Sequence, residues 1–292
     1  MPHIGLRNAW VLCRMTHGER IALIAEGLPV LLASAQGFWS AAESLRDRPR
    51  EAEVLEGFAD EEAAKILILI DILRCPKRLA AARVGPMVTW FYSHLARLLY
   101  SEAQSWSVGH AKELQGYLNQ QRRGHYIEGY AGEYIMPNWS VFARESVMYA
   151  DIAVHEDGTA SWNDPITSIP ASMSDFRFAM KPKALGTAEA LHAVGTFSPQ
   201  GLTALADVWD AVEFKDTVSA SASERLTQTM LERYIAEDLP MEHADDKHVQ
   251  RLYRGWQIPM YNLDFKLIEV PLADLQRERE AIYRAEFDDW HG

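Results

Sequence analysis

Apolar residues recur every three or four positions through most of the first 124 residues, the period of an amphipathic helix. "RIALIAEGLPVLLASAQGFWSAAESL" predicts two turns and then a longer helix, begun by Pro29 as a first-turn proline and running to about Leu45. "DRPREAEVLEGFADEEAAKILILIDILRC" predicts a second long helix, started after Pro49 and closed before Pro76. From Ile66 to Leu73 that helix is apolar on every side except at Asp71. "GPMVTWFYSHLARLLYSEAQSW" predicts a third, with Pro86 as initiator, and "HAKELQGYLNQQRRG" a fourth, ended by Gly124. Four helices joined by short links make residues 1–124 an up-and-down bundle.

The pattern changes after Gly124. "HYIEGYAGEYIMPNW" and "VMYADIAVHEDGTASWNDP" are rich in Tyr, Ile and Val, and "EDGT" is a tight-turn signal, so residues 125–182 read as a β-hairpin or irregular arm. Helical period returns over 183–292. "KALGTAEALHAVG" and "SPQGLTALADVWDAVEF" predict helices packed on the bundle, the second with a Ser198 cap and Pro199 in its first turn. From about residue 215 a charged extension follows, with "SASERLTQTMLERYIAEDL" and "PLADLQREREAIYRAEFDDW" as amphipathic helices. The fold class is therefore mainly α, with a small β arm.

Composition places the 292-residue chain among globular proteins, at 48% hydrophobic and 24% charged, with nine Trp to fill a core. The N-terminus lacks the charged-then-apolar pattern of a secretory signal, and the hydropathy suggests no membrane span. Two cysteines cannot build a disulfide framework. A cytoplasmic, reduced protein is expected. The net charge of −12 argues against diffuse nucleic-acid binding, but the charge is unevenly spread. Residues 72–126 hold eight basic side chains against two acidic ones, and residues 213–292 hold seventeen acids against ten bases. A local basic band in an acidic chain suits one polyanion at a defined place, with Arg83, Arg122, Arg123 and Tyr126 as its candidate contacts. Tyr126 beside two Arg could stack a base while the guanidinium groups hold phosphate.

Common catalytic motifs are missing: there is no G-x-G-x-x-G, no phosphate loop, no G-x-S-x-G and no H-E-x-x-H. Glu189 and His192 form one Glu-x-x-His, where a di-metal bundle needs two, and "EHADDKH" reads as a solvated acidic turn. No metal or cofactor is expected. What remains is the opening of the second helix. Glu62 and Lys65 are three apart and Glu61 and Lys65 four apart, so either carboxylate can pair with the ammonium. Residues 58, 62, 65, 69 and 72 form one stripe in which Glu62 and Lys65 interrupt an apolar face. Half-buried ions cost several kcal/mol unless paired, so this pair serves a structural network or a site.

Those residues carry a family resemblance. "LLASAQGFWSAAESL", "FADEEAAKILILID" and "WFYSHLARLL" resemble the AbiV group of abortive-infection proteins within the HEPN superfamily. That group has an Ala-rich first helix, a Glu-Glu-x-x-Lys motif opening a buried second helix, and a third helix with a His followed by a basic residue. Glu61, Glu62 and Lys65 match the motif, His94 matches the third-helix His, and Arg97 stands three residues on. "LNQQRRGHYIEGY" and "GTFSPQGLTALADVWDAV" are similar to later family blocks, and the whole likeness covers about residues 20–214. It implies a HEPN-like bundle that pairs as a homodimer, with Glu62, Lys65, His94 and Arg97 facing one groove. It also implies metal-independent RNA cleavage in phage defence. The alternative is a catalytically inactive binding module, or the partner of a phage or toxin–antitoxin protein. One departure stands out. The superfamily's Arg, separated from its His by four to six intervening residues, is absent ahead of His94, where Met87, Val88 and Thr89 stand; the spacing occurs instead at Arg284 and His291.

Overall fold

The computed structural model describes residues 8–45, 47–124, 138–154, 158–165, 181–271, and 273, 274, 277, 280 and 281. Among them the chain is mainly helical, as its period predicts, with a few short strands. A short α1 (Val11–Arg14) leads to α2 (His17–Ser44) and α3 (Pro49–Arg74). Then come a 3-10 turn (Lys77–Leu79), α4 (Ala80–Tyr92), α5 (His94–Ala103) and α6 (Ala111–Gln121). The middle of the chain gives β1 (Arg123–Gly124), α7 (Trp139–Met148), β2 (Asp151–Val154) and β3 (Ala160–Asn163). Four more helices, α8 (Lys183–Ala193), α9 (Pro199–Trp209), α10 (Ala220–Ala236) and α11 (Asp246–Gly255), precede β4 (Ile268–Glu269).

Two prolines act differently from the expectation. Pro29 lies inside one continuous 28-residue α2, and Pro86 lies inside α4. An interior proline costs about 3 kcal/mol, so burial of the flanking apolar residues has to outweigh it. The true start of α2 is Thr16, whose hydroxyl accepts from Glu19 N while Glu19 accepts from Thr16 N, a capping box. α2 is also long and apolar enough to cross a membrane by length and composition, contrary to the sequence reading. In the fold its stripe of Ile21, Ile24, Leu28, Leu32, Ala35 and Trp39 is buried, and α2 packs along α3.

α3 is the centre of the molecule. It contacts α2, α4, α5, α7, α8 and α9, and its run from Ile66 to Leu73 is almost completely buried by one chain. No second copy is therefore needed to cover this helix, and a homodimer rests on the resemblance alone. One contiguous core runs from Leu12 to Phe265, so the bundle and the C-terminal helices share it. The charged extension is packed on the core as far as residue 265: Ile258, Met260, Tyr261 and Phe265 are at most 2% exposed.

Asp71, the one polar break in the apolar run, explains how that strap is held. Its carboxylate accepts from Met260 N at 2.8 Å and from the Tyr100 hydroxyl, and pairs with Arg74 at 2.9 Å. Arg74 also donates to Gln257 O at 3.0 Å and lies 4.0 Å from the ring centres of both Trp209 and Trp256. Burial raises the Asp71 pKa and lowers that of Arg74, and their pairing opposes both shifts.

The predicted arm is part hairpin and part helix. β2 and β3 pair antiparallel from Asp151 opposite Asn163 to Val154 opposite Ala160. Gly158 takes φ 79° in the connecting turn, where a side chain would be strained. Ahead of them α7, unforeseen, is capped by Asn138, whose side chain accepts from Val141 N. The "EHADDKH" turn likewise opens a helix: Asp245 caps α11 by accepting from Lys247 N and His248 N.

Candidate functional site

Glu61 and Glu62 are neighbours on α3, so they leave its axis about 100° apart. That angle separates their roles. Glu62 stays at the rim, ion-paired to Lys65, with the two side chains 19% and 17% exposed. The Lys65 ammonium also stands 5.5 Å from the centre of the Phe91 ring. Glu61 turns inward toward α5 and α7, and its side chain is only 4% exposed.

Three cationic or ionisable side chains converge on Glu61. Ser93 breaks the predicted third helix in two: its backbone is extended, it ends α4, and its hydroxyl caps α5 by accepting from Ala96 N. His94 is thereby the first residue of α5, with Arg97 one turn on along the same face. His94 Nδ1 lies 2.8 Å from Glu61 Oε2, and Arg97 Nη2 lies 3.0 Å from the same oxygen. The other oxygen, Oε1, accepts from Arg144 Nε of α7 at 2.5 Å. A buried carboxylate costs several kcal/mol unless it is paired and hydrogen-bonded, and two guanidinium groups and an imidazole supply that pairing.

The arrangement has a built-in choice of tautomer. Arg97 Nη2 is also 2.8 Å from His94 Nδ1. Nδ1 can donate to Glu61 or accept from Arg97, but one nitrogen cannot do both at once. With Nδ1–H donated to Glu61, Nε2 carries the lone pair and has no protein partner among the described residues. The His94 side chain is 54% exposed, so that nitrogen is open to a substrate. Glu61 then orients the ring, as a carboxylate does for a general-base histidine. With His94 neutral, Glu61, Arg97 and Arg144 sum to one positive charge. Burial lowers the Arg97 pKa while Glu61 and Glu62 raise it, and its Nε–H is buried without a hydrogen-bond partner among the described residues.

The four candidate catalytic residues, Glu62, Lys65, His94 and Arg97, thus come to one place, but the carboxylate that meets His94 is Glu61. The polyanion candidates do not join them. Arg83 is close enough to Cys75, at the far end of α3, to influence its thiol. Cys75 is fourteen residues from Glu61, about 20 Å along the helix. Arg122 pairs with Asp264 at 2.6 Å, donates to Lys266 O at 3.1 Å, and its side chain is 12% exposed. Arg123 is held in β1, parallel to Ile268. Tyr126 lies outside the described residues, as do Arg284 and His291.

Much of the basic band is neutralised from within. Lys77 pairs with Asp207, Arg78 with Glu213, Arg122 with Asp264, Arg74 with Asp71 and Arg97 with Glu61. An open basic face, expected from composition, is not formed because later acidic segments fold onto it. Glu189 is taken by Lys181 and Gln36, and His192 packs on Phe197, which gives that Glu-x-x-His a structural use.

Arg144 was not foreseen because its segment read as part of the arm. Asn138 followed by "WSVFARESVM" was the available signal, a cap residue ahead of a helical stretch. A cavity of about 470 Å³ lies on the α7 side of Glu61 and Arg144, between α3, α5 and α7. Its carboxylates include Glu53, Glu56, Asp60 and Glu102, against Arg144 and Lys183. No family model matches the chain, and no curated protein or solved structure does either.

Proposed function

We propose that this protein is a HEPN-like, metal-independent endoribonuclease of the abortive-infection type. The observation that carries the reading is the exposed His94 ring, fixed through Nδ1 by the buried Glu61 and flanked by Arg97. In the reaction His94 Nε2 takes the proton of a ribose 2′-hydroxyl. The 2′-oxygen bonds to the adjacent phosphorus, the bond from phosphorus to the 5′-oxygen breaks, and the imidazolium returns the proton to that leaving oxygen. Arg97 is placed to offset charge on the five-coordinate phosphorus. Family likeness adds the defence role and a two-fold pair of subunits.

A second reading has an observation of its own. Both guanidinium groups are already bonded to Glu61, and the cavity beside them is lined by acids. That surface suits a basic side chain of a protein partner, as in an inactive HEPN-like module of a toxin–antitoxin pair. Incubating the purified protein with total cellular RNA in EDTA separates the two. The nuclease reading expects cleavage that His94→Ala reduces by about 10²–10⁴-fold with an unchanged melting temperature. Cleavage of equal rate in the variant, or none in the native chain, removes it.

A further inference from the structure

A second cavity, of about 600 Å³, opens between the 104–108 loop, α10, α11 and the start of α8. Its charge runs against that of the molecule. Lys183, Lys247, Arg251 and Arg254 line it against a single carboxylate, Glu224, in a chain whose net charge is −12. Among the described residues none of these four cations has an ion-pair partner within 4 Å, whereas Lys77, Arg78 and Arg122 of the basic band are held in internal pairs. Four uncompensated cations around one concavity repel each other unless an anion shares the site.

Three further features point to a ligand. α8 begins at the cavity rim with Lys183 in its first turn, and its N-cap Pro182 gives no side-chain hydrogen bond. A cation at the positive end of a helix is unfavourable, and an anion there reverses the sign. Ser223 and Thr227 line the wall on residues only 5% and 2% exposed, and their hydroxyls make no hydrogen bond to other described residues. Two nearly buried residues thus keep hydroxyl groups free for a ligand in the cavity. The Arg251 guanidinium rests against α8 where residue 186 has no side chain, since a Cβ on Gly186 would stand 2.7 Å from Nη1. The wall is completed by Trp106 and Tyr253, flat apolar surfaces beside the charge.

We infer that this cavity is a binding site for a free nucleotide. Its phosphates sit among Lys183, Lys247, Arg251 and Arg254 at the α8 N-terminus, Ser223 and Thr227 donate to them or to the sugar, and the base lies against Trp106 or Tyr253. The volume falls within the range of small-molecule sites, about 300–1,000 Å³. A guanidinium fork and stacking aromatics suit a nucleoside phosphate better than a bare anion. The site does not depend on RNA cleavage: Glu61 and His94 do not line it, and Ser105 and Lys183 are shared with the cavity beside Arg144.

The test is calorimetric titration of the full-length protein with ADP, ATP, adenosine and pyrophosphate, beside Lys247→Ala/Arg251→Ala and Thr227→Val. Expected is saturable binding of ADP or ATP, at least tenfold weaker in the double variant and weaker in Thr227→Val. Adenosine and pyrophosphate should each bind more weakly than ADP. Lys247 and Arg251 are solvent-exposed, so melting without ligand should match the native chain. Absence of ADP and ATP binding at millimolar concentration overturns the inference. So does pyrophosphate binding as tightly as ADP, or affinity that survives the double substitution.

Discussion

A carboxylate holding two guanidinium groups and an imidazole is a sensitive point at the residue scale. Glu61→Gln keeps the shape and removes the charge that Arg97 and Arg144 share, leaving both cations poorly compensated. Removing one partner of a buried pair costs roughly 3–5 kcal/mol, and that loss should appear as a lower urea midpoint. Glu62→Gln, at the rim, should cost less, about 1 kcal/mol or below. Equal losses for the two would deny Glu61 its central place. Glu102, in the neighbouring cavity wall, is predicted to respond to pH. Burial raises its pKa, so the folded state holds that proton more tightly than the unfolded chain. The stabilising contribution is full below the unfolded pKa and is lost as pH rises through the folded value. Glu102→Gln should therefore raise the melting temperature at pH 7 by about 1–2 °C. The gain should fade below about pH 4, where the native side chain is protonated in both states. Melting curves of the two proteins across that range decide it.

Elements place these residues through their ends. Ser93 stops α4 and caps α5, and that break sets His94 at the head of a helix and near Glu61. A continuous helix through residues 86–103 would carry His94 in an interior turn instead. Gly195 does similar work at the end of α8. Its φ is 91°, and a Cβ there would stand 2.2 Å from Leu239 O. Gly195→Ala meets both left-handed strain and a backbone clash, so a loss above about 2 kcal/mol is expected in chemical denaturation. A neutral result would mean that the turn between α8 and α9 can reshape freely.

Across the whole molecule the polar groups latch segments that are distant in sequence. Asp71 and Arg74 fasten the strap of residues 256–265 over α3, and the strap in turn contributes Trp256 and Phe265 to the core. Asp71→Asn leaves Arg74 buried between two indole rings without its counter-charge. The expected cost is again about 3–5 kcal/mol, read as a lower urea midpoint with earlier proteolysis near residue 260. An unchanged midpoint and cleavage pattern would show that apolar burial alone holds the strap. The same distant pairing cancels the basic band, since Glu213 and Asp264 reach back to Arg78 and Arg122.

Local chemistry was legible in the amino-acid sequence because its causes lie within a few residues. Helical period, the Pro49 start of α3, the Ser198–Pro199 cap of α9 and the pairing of β2 with β3 are of this kind. So was the grouping of Glu62, Lys65, His94 and Arg97, by way of the family resemblance. The choice between two adjacent carboxylates was not. Glu61 meets His94 across 33 residues and Arg144 across 83. The direction in which each leaves α3 follows from 3.6 residues per turn, but which direction faces α5 and α7 depends on how the helices pack. Tertiary structure also decided that a surplus of positive charge in one segment would be met by acids from another, and that four other cations would line one cavity. Charge totals along a chain are local sums, whereas the field at any point comes from whichever side chains folding brings within a few ångströms.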